Sequence, residues 1–164
     1  MNARLQTRAT RRAMTRADVD AVLAIECAAY RFPWSRANFI DSLIGGYLAE
    51  MLVDESGAPI AYYVAMTGVD EMHLLNLTVA PAHQGRGHAG TLLDSLLRHC
   101  AAAGAATLWL EVRTGNERAR SIYRRRGFVD VGVRRGYYPA GAGLREDAIV
   151  MSLRLNTEAR DAVD

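Results

Sequence analysis

The chain contains no lysine: all twenty of its basic residues are arginine. Chemistry that uses a lysine amine to form a Schiff base is therefore excluded. Cysteine is nearly as scarce, with only Cys27 and Cys100. The two are far apart, and there is no C-x-x-C or clustered His/Cys spacing. Neither a disulfide framework nor a zinc or other metal site is expected, and both thiols are expected in the core. Half of the 164 residues are hydrophobic, yet no apolar run reaches membrane-spanning length. No charged-then-apolar segment opens the chain. The expectation is a soluble cytoplasmic protein with no membrane partner, forming one domain over residues 1–164 with a substantial core.

Charge of one sign is not in large excess, since the formal net charge is +2. It is unevenly spread. Arg4, Arg8, Arg11 and Arg12 precede any acid, and eight arginines between Arg113 and Arg135 face only Glu117 and Asp130. Such runs are commonly a solvated face, and the arginine excess is compatible with coding bias. They could also meet cofactor phosphates or RNA.

What the chain does have is a glycine-rich turn between a strand pattern and a helix pattern. Leu74, Leu75, Leu77 and Val79 end at Pro81, and beyond the glycines Ala89, Leu92, Leu93, Leu96, Leu97 and Cys100 recur on one side of a helix. A turn of this kind at a helix start presents backbone N–H groups and the positive end of the helix dipole, which suits a phosphate or pyrophosphate. Gly85, Gly87 and Gly90 also spell G-x-G-x-x-G, with Glu111 near the end of the next strand, as in a dinucleotide-binding Rossmann unit. Against that reading, Ala80 to Gln84 separate the glycines from the strand, and the preceding strands pattern as antiparallel hairpins. No Gly-Lys-Ser/Thr follows, which excludes a Walker loop. A glycine loop used only for turning stays open.

From the N-terminus, residues 1–6 are expected to be loose and Thr7 to Met14 to form an edge strand. Thr15 or Asp18 caps a helix with Val19, Val22, Leu23 and Cys27 inward, ending near Tyr30. Phe32-Pro33-Trp34-Ser35 breaks it, and Ser35 caps a second helix carrying Phe39, Leu43 and Ile44. Tyr47–Val53 and Pro59–Met66 read as strands joined at Glu55-Ser56-Gly57, and Glu71–Val79 as the strand feeding the glycine turn. Two helices, an antiparallel meander and a strand-helix-strand crossover predict a mixed α/β sheet.

After Gly104, Thr107–Val112 is a strong strand. Alternation sets Leu108, Leu110 and Val112 on one face and Trp109, Glu111 and Arg113 on the other. Glu111 is either an edge glutamate facing water or, on a central strand, a partly desolvated general base. Asn116–Arg126 predicts a helix with Ala119, Ile122 and Tyr123 inward, closed by Gly127-Phe128. Tyr123 is either core or a proton donor whose hydroxyl needs a partner. Val129–Val133 reads as strand, Gly136–Gly143 as loop, Ala148–Leu153 as the last strand, and 155–164 as a loose tail.

Gln84-x-x-Gly87-x-Ala89 resembles the Q/R-x-x-G-x-G/A pyrophosphate loop of the GCN5-related N-acetyltransferase (GNAT) superfamily, with alanine in its last place. Asn116, Tyr123 and Gly127-Phe128 resemble the second half of that pattern. More narrowly, FPWS at 32–35, LWLEVR at 108–113, and YYP followed by REDAIVM at 145–151 are similar to the bacterial ribosomal-protein-alanine N-acetyltransferases (RimI-type). The resemblance spans nearly the whole chain.

It implies a GNAT fold, α/β (mixed α+β), with a central mixed, mostly antiparallel sheet flanked by helices. It also implies acetyl-CoA as donor. The backbone of Leu77, Thr78 and Val79 would lie along the pantetheine arm, with the N–H groups of Gly85, Arg86, Gly87, His88, Ala89 and Gly90 around the pyrophosphate and Asn116 on the same arm. Glu111 would be the proton acceptor and Tyr123 the proton donor. The implied acceptor is a protein N-terminus, the alanine of a small-subunit ribosomal protein. A lysine side chain, polyamine or drug, or a non-catalytic ribosome- or RNA-binding role, are the alternatives, and no specific nucleic-acid binding is expected. An α-amine with a pKa of about 8 has one modestly held proton to lose. His88 departs from the aliphatic residue usual at its place and is expected to face solvent. The acceptor groove is expected beside Trp34, which could equally be ordinary core, and Tyr137-Tyr138-Pro139, with Asp70, Glu71, Glu146 and Asp147 either favouring a basic peptide or simply solvating strand ends.

Overall fold

A computed structural model describes residues 8–155. The segments 1–6 and 156–164, expected to be loose, lie outside the described residues. Leu155 lies inside them and donates its backbone N–H to the Ala106 carbonyl at 2.9 Å.

The elements run β1 (Thr10–Ala13), a 3-10 turn (Arg16–Asp18), α1 (Val19–Ala29), α2 (Arg36–Ile44), β2 (Leu48–Val53), β3 (Pro59–Thr67) and β4 (Glu71–Val79). A second 3-10 turn (Pro81–His83) leads to α3 (His88–Ala103), β5 (Thr107–Arg113), α4 (Glu117–Arg125), β6 (Val129–Gly141) and β7 (Leu144–Arg154). The strand order in the sheet is β1-β2-β3-β4-β5-β7-β6. β1 pairs with β2, β5 with β7 and β6 with β7 antiparallel, whereas β4 and β5, joined by the α3 crossover, are parallel. This is the mixed, mostly antiparallel sheet expected, and it is not the doubly wound sheet a dinucleotide fold requires. Among the described residues no helix is long and apolar enough to cross a membrane.

The chain forms two compact units. The first comprises residues up to Val64 together with Asn76–Leu92, and the second Ala65–Leu75 with residues from Leu93 on, so β4 and α3 each run through both. In the first unit, Ser35 caps α2 by accepting from Asn38 N at 3.1 Å, and Asp54 nucleates the β2–β3 turn by accepting from Ser56 N and Ala58 N. Its core holds Phe39, Met51, Leu52, Ile60, Tyr62 and Tyr63, all buried. Two positions depart from the helix pattern. Cys27 is exposed and the neighbouring Glu26 is buried in its place, while Ile44 is 62% exposed. Glu26 turns inward because Tyr62, Asn76 and the Trp34 N–H all donate to its carboxylate. Those partners come from distant segments and leave no trace in helical periodicity.

The second unit is built on β5, which lies between β4 and β7 with Leu108, Leu110 and Val112 buried. Cys100 is buried here with Met72, Leu96 and Met151. The expected loop over Gly136–Gly143 is instead mostly strand, because β6 continues to Gly141 and turns directly into β7. Three register shifts absorb the irregular residues, between Asp130 and Gly132, Arg134 and Tyr138, and Pro139 and Gly141. Bulges let a strand carry proline and glycine that regular pairing would reject.

Candidate active site

In the first unit β4 ends at Val79, and the glycine turn follows the Pro81–His83 turn. The Gln84 side chain donates to the Val79 carbonyl at 3.2 Å, tying the loop back to the strand end. Gly85 and Gly87 have φ of +76° and +83°, a backbone region that L side chains rarely adopt. A Cβ on Gly87 would meet nothing within 4 Å, so the backbone angle, not crowding, requires glycine there. Thr91 N donates to the Gly87 carbonyl at 3.1 Å, which makes Gly87 the first acceptor of the helical ladder. The N–H groups of His88, Ala89 and Gly90, in the first turn of α3, have no intrahelical acceptor by construction and carry the dipole's positive end.

His88 does not face solvent as expected. Its ring lies 6.2 Å from that of His83, and its Nε2 is shielded from water without a hydrogen-bond partner. Burial, with His83 and Arg86 nearby, lowers its pKa and favours the neutral ring.

Along β4 burial alternates, with Asn76 and Thr78 inside and Leu77 and Val79 half-exposed. Thr78 donates to Asn76 Oδ1 at 2.7 Å, the Tyr30 hydroxyl lies 2.8 Å from Thr78 Oγ1 and 3.3 Å from the Leu77 carbonyl, and Asn76 donates to Glu26. Burial raises the pKa of Tyr30, and burial reinforced by Glu26 raises that of Tyr62, so both phenols stay neutral donors. This chain of side chains braces Leu77–Val79 from the core side. Sequence reasoning missed it; the available signal was a glutamate on the same helical stripe as Val19 and Val22.

In the second unit Glu111 stands on β5 with its side chain 6% exposed. Its Oε2 lies 2.6 Å from His73 Nε2, and the His73 ring stacks on Trp109 at 3.6 Å between centroids and 13° between planes. Arg134 Nε lies 3.3 Å from Oε1, within ion-pair range but not aligned as a hydrogen bond. Oε1 is therefore buried without a hydrogen-bond partner. Trp109 Nε1 is buried in the same condition. Asn116 caps α4, its Oδ1 accepting from Ala119 N at 3.2 Å. Tyr123, 8% exposed, lies in the last turn of that helix with its ring 5.5 Å from Phe128.

Tyr137 and Tyr138 pack edge to face at 4.8 Å, with the Arg113 guanidinium 4.4 Å from the Tyr138 ring and that of Arg134 5.5 Å from the Tyr137 ring. Glu146 accepts from Gly115 N at 3.0 Å and Arg113 at 3.2 Å, and these bonds hold its pKa below the ordinary carboxylate value. Asp147 accepts from Gly136 N at 2.8 Å. Both acids thus make bonds within the unit that hold the β5–α4 loop and the β6 bulge.

A mixed sheet of this strand order, with a glycine loop opening the helix after β4, defines an acetyltransferase-type fold. The model for the acetyltransferase (GNAT) family matches residues 19–128, and the chain belongs to that family. Enzymes of the family use acetyl-CoA. The chain is 38% identical over 138 residues to the [ribosomal protein bS18]-alanine N-acetyltransferase of Haemophilus ducreyi, covering 84% of this chain and 94% of that one. It is equally 38% identical over 139 residues to the enzyme of the same name from Escherichia coli, covering 85% and 93%. The crystal structure of the ribosomal-protein-S18-alanine N-acetyltransferase from Escherichia coli superposes with a TM-score of 0.84 at 36% identity, covering 91% of this chain and 95% of that one.

Proposed function

We propose that the chain, acting as one acetyltransferase domain, transfers the acetyl group of acetyl-CoA to the N-terminal alanine amine of ribosomal protein bS18. The observation that carries the mechanism is Glu111 Oε1, a buried carboxylate oxygen without a hydrogen bond. Such an atom costs stability unless it serves a function, and an incoming ammonium N–H satisfies it. Glu111 takes one proton from the ammonium, which frees the nitrogen lone pair to bond to the acetyl carbon; a backbone N–H near Val79 stabilises the resulting oxyanion, and the nitrogen's second proton is lost to solvent as the intermediate collapses. Tyr123 then protonates the thiolate as the C–S bond breaks. The backbone of Leu77, Thr78 and Val79 and the N–H groups of Gly85 to Gly90, with Asn116, hold the donor. The kinship with enzymes named for bS18 alanine supports the acceptor, and GNAT membership supports the donor.

The test is transfer of labelled acetyl from acetyl-CoA to a peptide bearing the bS18 N-terminus, compared with lysine-only peptides blocked at the α-amine. Labelling of the free N-terminus is expected, and Glu111→Gln is expected to slow it by roughly 10²- to 10⁴-fold. Labelling confined to lysine side chains would overturn the acceptor, and an undiminished Glu111→Gln rate would overturn the base.

A further inference from the structure

The assignment of Glu111 as base leaves one neighbour without a role. His73 sits on β4 directly opposite Trp109 in the parallel register, which places the two side chains on the same sheet face. The stack on Trp109 fixes the plane of the imidazole, and its Nε2 edge reaches Glu111, two residues further along β5. With side chains only 12% and 6% exposed, the two groups meet largely out of water. A hydrogen bond involving an ionised partner is stronger there than at a surface.

Resting on the reading of Glu111 as base, we infer that His73 is its positioning residue: the imidazole fixes Oε2 and so commits Oε1 to the acceptor amine. An ionised carboxylate can only accept hydrogen bonds. With Glu111 ionised, Nε2 must therefore carry the hydrogen, and the contact selects one tautomer of the ring. The arrangement has the logic of a base oriented by a second group through one fixed hydrogen bond.

The surroundings explain why such a tether is needed. Arg134, on β6, stands 3.3 Å from Oε1, the oxygen that must stay available. A carboxylate free to rotate would turn both oxygens toward the guanidinium in the favoured bidentate manner. Held at Oε2 by His73, it cannot complete that fork, and Arg134 stays unaligned. Further charged or titratable groups nearby include Tyr138 of β6, whose pKa burial raises, Tyr137, whose ring lies under Arg134, Arg113 of β5, which lies over the Tyr138 ring, and Glu146 of β7, which pairs with Arg113. Tyr138 also lies within electrostatic reach of Glu111.

Two substitutions separate orientation from bulk. His73→Phe keeps a ring to stack on Trp109 but has no donor. His73→Gln keeps an N–H at the Nε2 position. We expect His73→Phe to lower kcat roughly tenfold or more, the usual effect of losing an orienting partner, with the KM for acetyl-CoA unchanged. His73→Gln, which keeps the donor, should regain most of that kcat. A His73→Phe enzyme with wild-type kcat, alongside an inactive Glu111→Gln enzyme, would overturn the inference and leave the base reading standing. An active Glu111→Gln enzyme would overturn both. Should His73→Phe fail to fold, His73→Gln decides, since a folded His73→Gln enzyme with kcat as low as that of Glu111→Gln would overturn the inference.

Discussion

Tyr62 of β3 donates its hydroxyl hydrogen to the carboxylate of Glu26 of α1, two buried side chains 36 residues apart. Asn76 donates to the same carboxylate from β4 at 3.2 Å, so one acid joins three elements of the first unit. Tyr62→Phe removes only the oxygen and leaves the carboxylate short of a donor. The expected loss is about 1.5–3 kcal/mol, the range for a hydrogen bond to a charged group. Urea unfolding of the two proteins measures it, and equal midpoints would mean that Glu26 is satisfied without Tyr62.

Acetyl-CoA should stabilise the fold by roughly 2.7 kcal/mol at a hundredfold excess over its dissociation constant. Gly87→Val places a β-branched residue at φ +83° and should cost about 1–3 kcal/mol without ligand. It should also remove most of the ligand's stabilisation. Melting curves with and without acetyl-CoA separate the two effects. A full ligand shift in the valine protein would dissociate the loop from cofactor binding.

Glu111→Gln and Tyr123→Phe should both slow turnover while leaving acetyl-CoA bound, but they should differ in pH response. Raising the pH supplies free amine, which replaces the work of a base and should partly rescue Glu111→Gln. It cannot replace a lost proton donor, so Tyr123→Phe should gain nothing. Rate–pH profiles of the two variants decide, and equal rescue would remove the distinction between their roles.

Asp18 closes a capping box with Thr15 and binds Arg12 through both oxygens. The Arg12 hydrogen bonds, opposed by burial and aided by the Thr15 N–H, lower its pKa from 3.8 to about 2. A depressed carboxylate stabilises the fold above its unfolded value, and that contribution disappears as the pH falls through the folded one. Asp18→Asn should therefore be less stable than the wild type at pH 6, with the difference closing between about pH 4 and pH 2. A difference that persisted unchanged at pH 2 would show that the side chain acts by shape alone.

Glu111 was legible because TLWLEV alternates strictly, and period two by itself assigns the carboxylate to the face opposite Leu108 and Leu110. The glycine loop was legible because Gly85 and Gly87 adopt angles that other residues avoid. His73 was not, since its hydrogen bond depends on the β4–β5 register, which two separate segments settle between them. Glu26 and Cys27 exchanged places for the same reason, because hydropathy favours the thiol and only Tyr62, Asn76 and Trp34 reverse the choice. At Tyr137-Tyr138-Pro139, proline and flanking glycines argued for a loop, and what kept the segment in the sheet was bulged pairing with Arg145 and Glu146.

Those same bulges bear on whether the sheet edge can pair with another strand. β6 is the last strand in the sheet, thirteen residues long, and it leaves Val129, Val131 and Val133 each nearly 60% exposed. A flat apolar border of that length would template strand addition between copies and seed aggregation. Three breaks in register, together with Arg134 and Arg135 among the valines, deny a second copy any long uninterrupted ladder. The irregularity that disguised this segment as a loop thus also makes it a poor template for strand addition.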